Sequence, residues 1–422
     1  MFMKKLQGVG AVLSLSWALG LVAVPTAVAG SLDGNSGDVM LQGFHWRSHE
    51  TYPWWGVVQN KASDIKNSGF TMVWMPPSQD AASNEGYLPR QLYVQSSKYG
   101  TDVQLKSALG ALRTYGVKSI ADIVVNHRVG TTSWGDFTNP TWGTWSVTKG
   151  DEWTSATGNY DTGDGYSAAR DLDHTNTTVQ NDLKSWMNWL KSSIGYDGWR
   201  YDYVKGYAGS YVGNYNAGTL PYFSVGELWT DLNLGNPDAH RQLLMNWIDA
   251  TGGRSAAFDF TTKGLLQQAV QYNEFWRLKD SAGKPSGAIG WWPAKSVTFI
   301  DNHDTGPSHP SGGQNHWPFP GDKVMQGYAY ILTHPGIPCV YWVHFYDWGH
   351  AAAIKSLMAA RKEKGVTSTS VVSIQAADSY KYAAIITGGT GSLAMKIGPG
   401  SWSPGSGWTL VNSGTNWAVW KK

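Results

Sequence analysis

Eight short apolar runs, separated by stretches with helical periodicity, constrain the fold of this chain more than any other feature. Short apolar runs of this kind are typical of strands buried on both faces of a parallel sheet. Strands that alternate with amphipathic helices favour an α/β fold, and eight strands can close a parallel barrel. We therefore predict a (β/α)8 barrel. The candidate strands are residues 39–46, 71–76, 119–126, 198–203, 222–227, 256–260, 296–301 and 338–342.

Two of the intervening stretches show the helical pattern most clearly. Residues 101–115 place Leu105, Leu109 and Leu112 on one stripe, and Thr101 or Asp102 can cap the first turn. In residues 179–194 the apolar positions also recur at helical spacing, and Gly195 is placed to end the helix. The apolar stripe there consists of Val179, Leu183, Trp186, Leu190 and Ile194.

Two regions break the alternation. Residues 127–174 are rich in Trp, Gly, Thr, Asn and Asp without helical period, and they are too long for an ordinary connection. We expect them to form a subdomain inserted after the third strand. From residue 365 the pattern turns to short runs separated by Gly, Ser and Asn, which predicts an antiparallel β domain over residues 365–422. The barrel domain then spans residues 30–364.

The first 29 residues have the pattern of a cleaved leader. Two lysines precede an apolar stretch of residues 9–24, and Ala27 and Ala29 provide the small residues that a signal peptidase requires. The stretch is short for a membrane anchor, and no later stretch is apolar enough to span a bilayer. We therefore predict a secreted protein without membrane contact, whose signal peptide, residues 1–29, is cleaved near Ala29.

Net charge and cysteine content narrow the class of protein. Without the leader and its two lysines the formal charge falls from +2 to 0, so nothing indicates nucleic acid or an anionic surface as a partner. Cys339 is the only cysteine in the chain, so no intrachain disulfide can form. We expect Cys339 to be a small buried residue on a strand, and the protein to be a monomer.

Three acidic residues, Asp202, Glu227 and Asp304, each end a short apolar run, in GWRYDY, YFSVGEL and SVTFIDNHD. Because burying a charge is costly, runs that end this way indicate strands that deliver acids to a functional face. Arg200 lies two residues before Asp202 and faces the same side, so its guanidinium can keep Asp202 ionised as a nucleophile. Trp229 helps to make an apolar setting that raises the pKa of Glu227 and suits a general acid.

Two carboxyls with opposite protonation states are what cleavage of a glycosidic bond requires, and a third acid can stabilise the positive transition state. The composition points the same way, since 24 Trp and 21 Tyr in a chain that is only 15% charged suit a neutral, hydroxyl-rich ligand. Each acid alone is more simply explained as a strand-end salt bridge or helix cap. Three acids together with Arg200, His127 and His303 favour an active site.

These segments resemble the alpha-amylases of glycoside hydrolase family 13. DIVVNHR, GWRYDYVKG, GELW and FIDNHD are similar to four ordered motifs of that family, and RDLDH is similar to a fifth. QGFHW, NEGYLP, SKYG, GWWPAK and HWPFPGDKVMQGYAYILTHPGIPC resemble plant-type members. The resemblance covers nearly the whole chain after the leader. It implies endo-hydrolysis of α-1,4-glucosidic bonds in starch and related α-glucans.

By this resemblance, Asp202 is the nucleophile, Glu227 the general acid/base and Asp304 the transition-state stabiliser. The implied reaction is a retaining double displacement, for which the carboxyls of Asp202 and Glu227 should lie about 5 to 5.5 Å apart. Lys205 stands where many members carry a His, a departure that affects sugar contacts rather than bond cleavage. The resemblance implies substrate binding at Tyr87, Asp122, His127, Arg200, Lys205, Trp229 and His303.

The resemblance also implies a calcium site, since oxygen donors near the inserted subdomain suit a hard cation. A loop Asp taken alone is more often a turn or helix cap. Gly165 stands where plant-type members have an acidic residue of a further calcium cluster, and Arg170 where relatives usually have Pro, so we expect one ion. The implied ligands, by side chain or backbone carbonyl, are Asn126, Asp161, Asp164, Asp171 and Gly206.

Several alternatives stay open. Trp291 and Trp292 can be core residues or, as in plant-type enzymes, a surface platform for starch. GGQNHW and VYWVHFYDWGH also resemble exo-acting maltotetraose-forming enzymes. A transglycosylase would use the same acids with a sugar acceptor, and a noncatalytic glucan-binding relative would keep the barrel but typically lack one of the acids.

Overall fold

The barrel strands lie where the sequence predicts them, which confirms the α/β class and the closed barrel. The computed structural model describes residues 32–422, so the predicted signal peptide lies outside the described residues. Within this range eight parallel strands pair in chain order, and the last pairs with the first to close the barrel. They are β1 Met40–Gln42, β2 Met72–Trp74, β3 Lys118–Ile123, β4 Gly198–Tyr201, β5 Ser224–Gly226, β6 Ala256–Phe258, β7 Ser296–Thr298 and β8 Ile337–Tyr341.

One α-helix follows each barrel strand along the described chain. Leu105, Leu109 and Leu112 are buried on one face of the second helix, and Thr101 forms a capping box with Gln104 at its start. The helices are α1 Trp54–Ser68, α2 Asp102–Thr114, α3 Thr177–Trp189, α4 Gly209–Thr219, α5 Pro237–Ala250, α6 Phe260–Tyr272, α7 Val324–Ile331 and α8 Ala351–Glu363.

The long connections between strands and helices hold short elements. In the inserted segment after β3, His127–Arg128 pairs antiparallel with Arg170–Asp171. After β2, Asp80–Ala81 pairs antiparallel with Pro89–Gln91. The π turns are Leu190–Ile194 and Val343–Asp347. The 3-10 turns are Ser48–Glu50, Thr144–Ser146, Val204–Gly206, Phe275–Leu278, Ala288–Gly290, Pro293–Lys295 and Gly321–Lys323.

A separate antiparallel sheet follows α8, as predicted, although its domain boundary stays a prediction. Its strands are β9 Val371–Ala377, β10 Tyr382–Thr387, β11 Ser392–Ile397, β12 Thr409–Gly414 and β13 Trp417–Lys421, in the order β9-β10-β11-β13-β12. The sheet is tied to the barrel by side chains, since the Gly398 N–H donates to Oε1 of Gln326 and His334 bonds the hydroxyl of Tyr382. Cys339 is buried on β8, as expected.

Candidate active site

The three predicted catalytic acids meet at the carboxyl ends of the barrel strands. Asp202 directly follows β4, Glu227 directly follows β5, and Asp304 lies in the loop after β7. In a parallel barrel these ends share one face, so three separate elements deliver their side chains to one place. All three residues line a single cleft of about 600 Å3.

Arg200 on β4 connects the acids. Its side chain is fully buried, and its Nη1 donates to Oδ1 of Asp122 and to Oδ1 of Asp202 at 2.7 Å each. Its Nη2 lies 2.8 Å from Oε2 of Glu227. Burial disfavours the guanidinium charge, but the surrounding carboxylates outweigh it and raise the pKa of Arg200. A single cation therefore orients three acids.

Burial determines the protonation of Glu227. It raises the pKa of this carboxyl to about 8, against the opposing charge of Arg200. Oε2 faces Arg200, whereas Oε1 is buried and has no hydrogen-bond partner among residues 32–422. Glu227 is therefore protonated at neutral pH and has one oxygen available for a ligand. The direction of the pKa shift is the one that its apolar sequence neighbours predict.

The uncharged ring of His303 lies beside Asp304. The amide of Gln42 donates to Nδ1 of His303 over 3.0 Å, so Nε2 carries the ring proton and faces Oδ2 of Asp304 at 3.2 Å. Burial holds the pKa of His303 well below its ordinary value, which keeps the ring uncharged. Burial also raises the pKa of Asp304 to about 7.

Tyr87 and His127 contribute aromatic rings around the acids. The hydroxyl of Tyr87 donates to Asp122 over 2.9 Å, and the Tyr87 ring stacks on His303 with centroids 5.2 Å apart. The Nε2 atom of His127 lies 2.8 Å from the carbonyl of Tyr87, and its ring stacks on Tyr166 at 4.0 Å. Flat aromatic faces beside carboxylates suit sugar rings, which have apolar faces and hydroxyl edges.

The cleft contains some of the predicted binding residues and several that were missed. Tyr87, Lys205, Trp229 and His303 line it, while Asp122, His127 and Arg200 lie buried behind its wall. Trp46 was missed although it ends the first apolar run, the same signal that identified the acids. Tyr203 was also missed, although it ends the predicted strand 198–203. The other missed residues lie in irregular loops without periodicity, and they are Tyr166, Thr230, Asp231, Gln314 and His316.

Trp291 and Trp292 lie apart from the residues that line the cleft. Trp291 is 41% exposed, and the guanidinium of Arg241 lies 3.9 Å from its ring centroid. Trp292 is partly buried and packs against the hydrophobic core. Only the first of the two rings is therefore open to solvent to a large extent.

The predicted metal ligands come together between β3, the inserted segment and the turn after β4. Nδ2 of Asn126 donates to Oδ1 of Asp171 over 3.0 Å, and the N–H of Asp164 donates to the carbonyl of Lys205. A Cβ atom on Gly206 would lie 2.0 Å from Oδ1 of Asn126, so only glycine permits this close approach.

These residues fit a hard cation. Oδ1 of Asn126 and Oδ2 of Asp161 are buried without a hydrogen-bond partner in the described chain, and an oxygen-binding ion would satisfy both. Residues 32–422 contain no group of three or more His, Cys, Asp and Glu side chains suited to a metal. The candidate set differs from such a group because an amide and backbone carbonyls supply part of its oxygens.

Two family models match this chain. One, described as "Alpha amylase, catalytic domain", matches residues 53–219. The other, described as "Alpha-amylase C-terminal beta-sheet domain", matches residues 363–421. The first match contains β3, β4 and the turn that carries Asp202, and the second contains the antiparallel sheet.

Curated relatives are similar over most of the chain. "Probable alpha-amylase 2" of Arabidopsis thaliana is 46% identical over 401 residues, which cover 91% of this chain and 94% of the relative. "Alpha-amylase 3, chloroplastic" of the same plant is 41% identical over 92% of this chain and 44% of its own length. "Glucan 1,4-alpha-maltotetraohydrolase" of Roseateles saccharophilus is 32% identical over 91% of this chain and 73% of the relative.

Among solved structures, an alpha-amylase from Malbranchea cinnamomea shares the fold, with a TM-score of 0.63 and 18% identity over 88% of this chain and 83% of that chain.

The prediction that the protein is secreted is wrong by comparison with its relatives, since one of them is named chloroplastic. The apolar leader pattern alone does not establish export. No helix within residues 32–422 has the length and apolar character needed to cross a membrane.

Proposed function

Because the chain belongs to the alpha-amylase family of glycoside hydrolases, we propose that it cleaves α-1,4-glucosidic bonds inside starch and related α-glucan chains with retention of configuration. The observation that carries this proposal is the difference between the two carboxyls that contact the Arg200 guanidinium. Asp202 is bound by the guanidinium through one oxygen, while Glu227 keeps a proton and an unpartnered Oε1. These are the two states that a retaining mechanism needs.

In the proposed first step, Oδ2 of Asp202 attacks the anomeric carbon while Glu227 gives its proton to the leaving glycosidic oxygen. The bond to the departing chain breaks, and a covalent glycosyl ester forms on Asp202. In the second step Glu227, now ionised, takes a proton from water as the water oxygen attacks the same carbon. The ester bond breaks, and Asp202 and Glu227 return to their starting states.

The remaining residues of the site are proposed to bind the sugar and to stabilise the positive charge of the transition state. The Asp304 carboxylate is proposed to stabilise that charge, and Nε2 of His303 lies 3.2 Å from its Oδ2. Tyr87 and Trp229 offer ring faces, and Lys205 can donate to sugar hydroxyls from the rim of the cleft.

Endo-action is proposed over exo-action because the plant relatives are the more similar ones. The alternative, an exo-acting maltooligosaccharide-forming enzyme, is supported by the relative named maltotetraohydrolase. We expect digestion of soluble starch, sampled in the first few per cent of conversion, to give a ladder of mixed product sizes. One dominant short product from the earliest time point would contradict endo-action and support the alternative.

We also propose that one calcium ion binds Asn126, Asp161, Asp171 and the carbonyls of Asp164 and Gly206. The unpartnered oxygens of Asn126 and Asp161 support this proposal. A bound cation would supply positive charge that joins the inserted segment to the turn after β4. Its proposed role is structural, because the ligands Asn126 and Gly206 directly adjoin His127 and Lys205. The ion would hold these two residues in place without contacting the reacting bond.

Removal of calcium with EDTA is expected to lower the thermal unfolding midpoint by about 5 °C, and added calcium should restore it, because a ligand that binds only the folded state stabilises that state. Circular dichroism melting curves measure the shift. Asp161→Ala should abolish the response to EDTA. Asp136→Ala is the matched control, because Asp136 lies in the same inserted segment but accepts hydrogen bonds from Thr132 and Ser133. If both variants kept the full response, the proposed ligand set would be wrong.

A further inference from the structure

The loop that carries Asp304 leaves β7 through a tightly bonded turn. Oδ1 of Asn302 accepts the N–H groups of Asp304 and Thr305 at 3.0 and 2.8 Å. The hydroxyl of Thr305 accepts the N–H of Asn302 and donates to Oδ1 of Asp301, each over 3.0 Å. The backbone of Asp304 is therefore fixed by its neighbours, and the turn is anchored on the carboxylate of Asp301.

The returning part of the same loop pairs with this turn. The N–H of His316 donates to the carbonyl of Asp304 over 3.0 Å, and the N–H of Trp317 donates to the carbonyl of Thr305 over 3.2 Å. The N–H of Phe319 reaches both carboxylate oxygens of Asp301 at 3.1 Å. Asp301 therefore contacts both the outgoing and the returning segment.

Lys263 on α6 contacts both of these segments from the buried side of the loop. Its side chain is fully buried, its Nζ donates to the carbonyl of Trp317 over 2.8 Å, and it lies 3.5 Å from Oδ1 of Asp301. Nζ also donates to the side chain of Gln267, whose Nε2 donates to the carbonyl of Pro318 over 2.9 Å. One buried ammonium thus joins the start of the loop to its end.

Lys263 supplies the positive charge that Asp301 faces. The neighbouring His344 lies 3.5 Å from Asp301, but burial lowers its pKa to about 3, so that ring is neutral. Burying an ion pair costs desolvation energy, and a well-packed apolar pair is often at least as stable. A fully buried pair at the catalytic end of the barrel is therefore better explained by the geometry it imposes than by stability.

We propose that Lys263 is a positioning residue for Asp304. Its pairing with Asp301 and its bond to Trp317 fix the two loop segments between which Asp304 is held, and so fix the distance of the Asp304 carboxylate from the reacting sugar. This inference rests on the proposed role of Asp304 as transition-state stabiliser. Residues 32–422 offer a matched comparison at the opposite end of β7, where buried Lys295 pairs with Asp33 and donates to the carbonyl of Gly253.

The test compares Lys263→Met with Lys295→Met, each assayed on soluble starch well below its unfolding temperature. Both should unfold at lower temperature than the parent, because each loses a buried lysine that pairs with an acidic residue near one end of β7. Only Lys263→Met should lose kcat, by about 10- to 100-fold, as expected for a misplaced catalytic group. Its affinity for a cationic iminosugar analogue of the transition state should fall more than its affinity for a neutral maltooligosaccharide.

Equal kcat in the two variants would overturn the inference. If Lys263→Met does not fold, Thr305→Val takes its place, since it removes the hydroxyl between Asp301 and Asn302 at nearly constant volume. This variant should lower kcat by about tenfold. An unchanged kcat of Thr305→Val would also overturn the inference. In an Asp304→Asn background the Lys263→Met change should cost much less than alone, because both act through one carboxylate. Full activity of Asp304→Asn would instead refute the proposed function.

Discussion

Asp202→Asn should lower kcat on soluble starch by roughly 10^4-fold or more, the largest effect expected of any single substitution in this protein. The amide cannot form the glycosyl ester, so the double displacement has no first step. The substitution is nearly isosteric, and the amide oxygen can still accept the Nη1–H of Arg200, which Oδ1 of Asp202 accepts at 2.7 Å. We therefore expect the variant to fold, and reducing-end assays with purified protein measure the loss.

Asp197→Asn is the matched control for Asp202→Asn. Asp197 lies directly before β4, at the opposite end of the strand from Asp202, and it accepts hydrogen bonds from Lys118 and from the N–H of Ser119. Because the amino-terminal ends of barrel strands serve stability, this variant should lose stability and keep kcat. Similar kcat values for the two variants, or a kcat for Asp202→Asn above about a tenth of the parent value, would contradict the assignment of the nucleophile.

Glu227→Gln should lower kcat on starch by about 10^2- to 10^4-fold, the range expected for loss of a general acid. The leaving oxygen of a glucan chain needs a proton, whereas the leaving group of a dinitrophenyl maltooligoside does not. With that substrate we expect a rapid burst of dinitrophenol followed by slow turnover, because the second step also needs Glu227. Stopped-flow absorbance measures the burst. Asp202→Asn should give no burst with the same substrate.

The pH profile provides a second control on Glu227. As general acid it must be protonated in the free enzyme, and its pKa is raised to about 8 by burial. On its alkaline side, the parent kcat/KM profile on starch should therefore fall about tenfold per pH unit above about pH 8. Glu227→Gln should lack this alkaline fall. The same fall in both proteins would assign it to another group and leave Glu227 without the proposed role.

The barrel and its acids could be predicted because both depend on local sequence. Strands buried on both faces need continuous apolar runs. Asp202 and Glu227 stand out because each directly follows such a run, where burying a charge costs desolvation free energy and therefore indicates a function. Arg200 could be paired with Asp202 from strand alternation alone. Eight such runs alternating with helical stretches then predicted a closed parallel barrel, which the structure confirms.

What could not be predicted depends on tertiary contacts. Strand β12 is an element that the sequence does not mark, because TLVNSG has no apolar run and Leu410 within it is 51% exposed. Gln314 and His316 lie in an irregular loop whose path is set by distant groups such as Lys263. A lysine in an amphipathic helix ordinarily faces solvent, so the sequence gives no sign that Lys263 is buried against Asp301.

The central claim is that Asp202 and Glu227 cleave α-glucosidic bonds by double displacement, and the configuration of the fresh product tests it most directly. Two inversions at the anomeric carbon retain its configuration, whereas direct attack by water inverts it. Proton NMR spectra recorded in the first minutes of hydrolysis of a maltooligosaccharide, before mutarotation equilibrates the product, should show the α-anomer first. Initial appearance of the β-anomer would contradict the account.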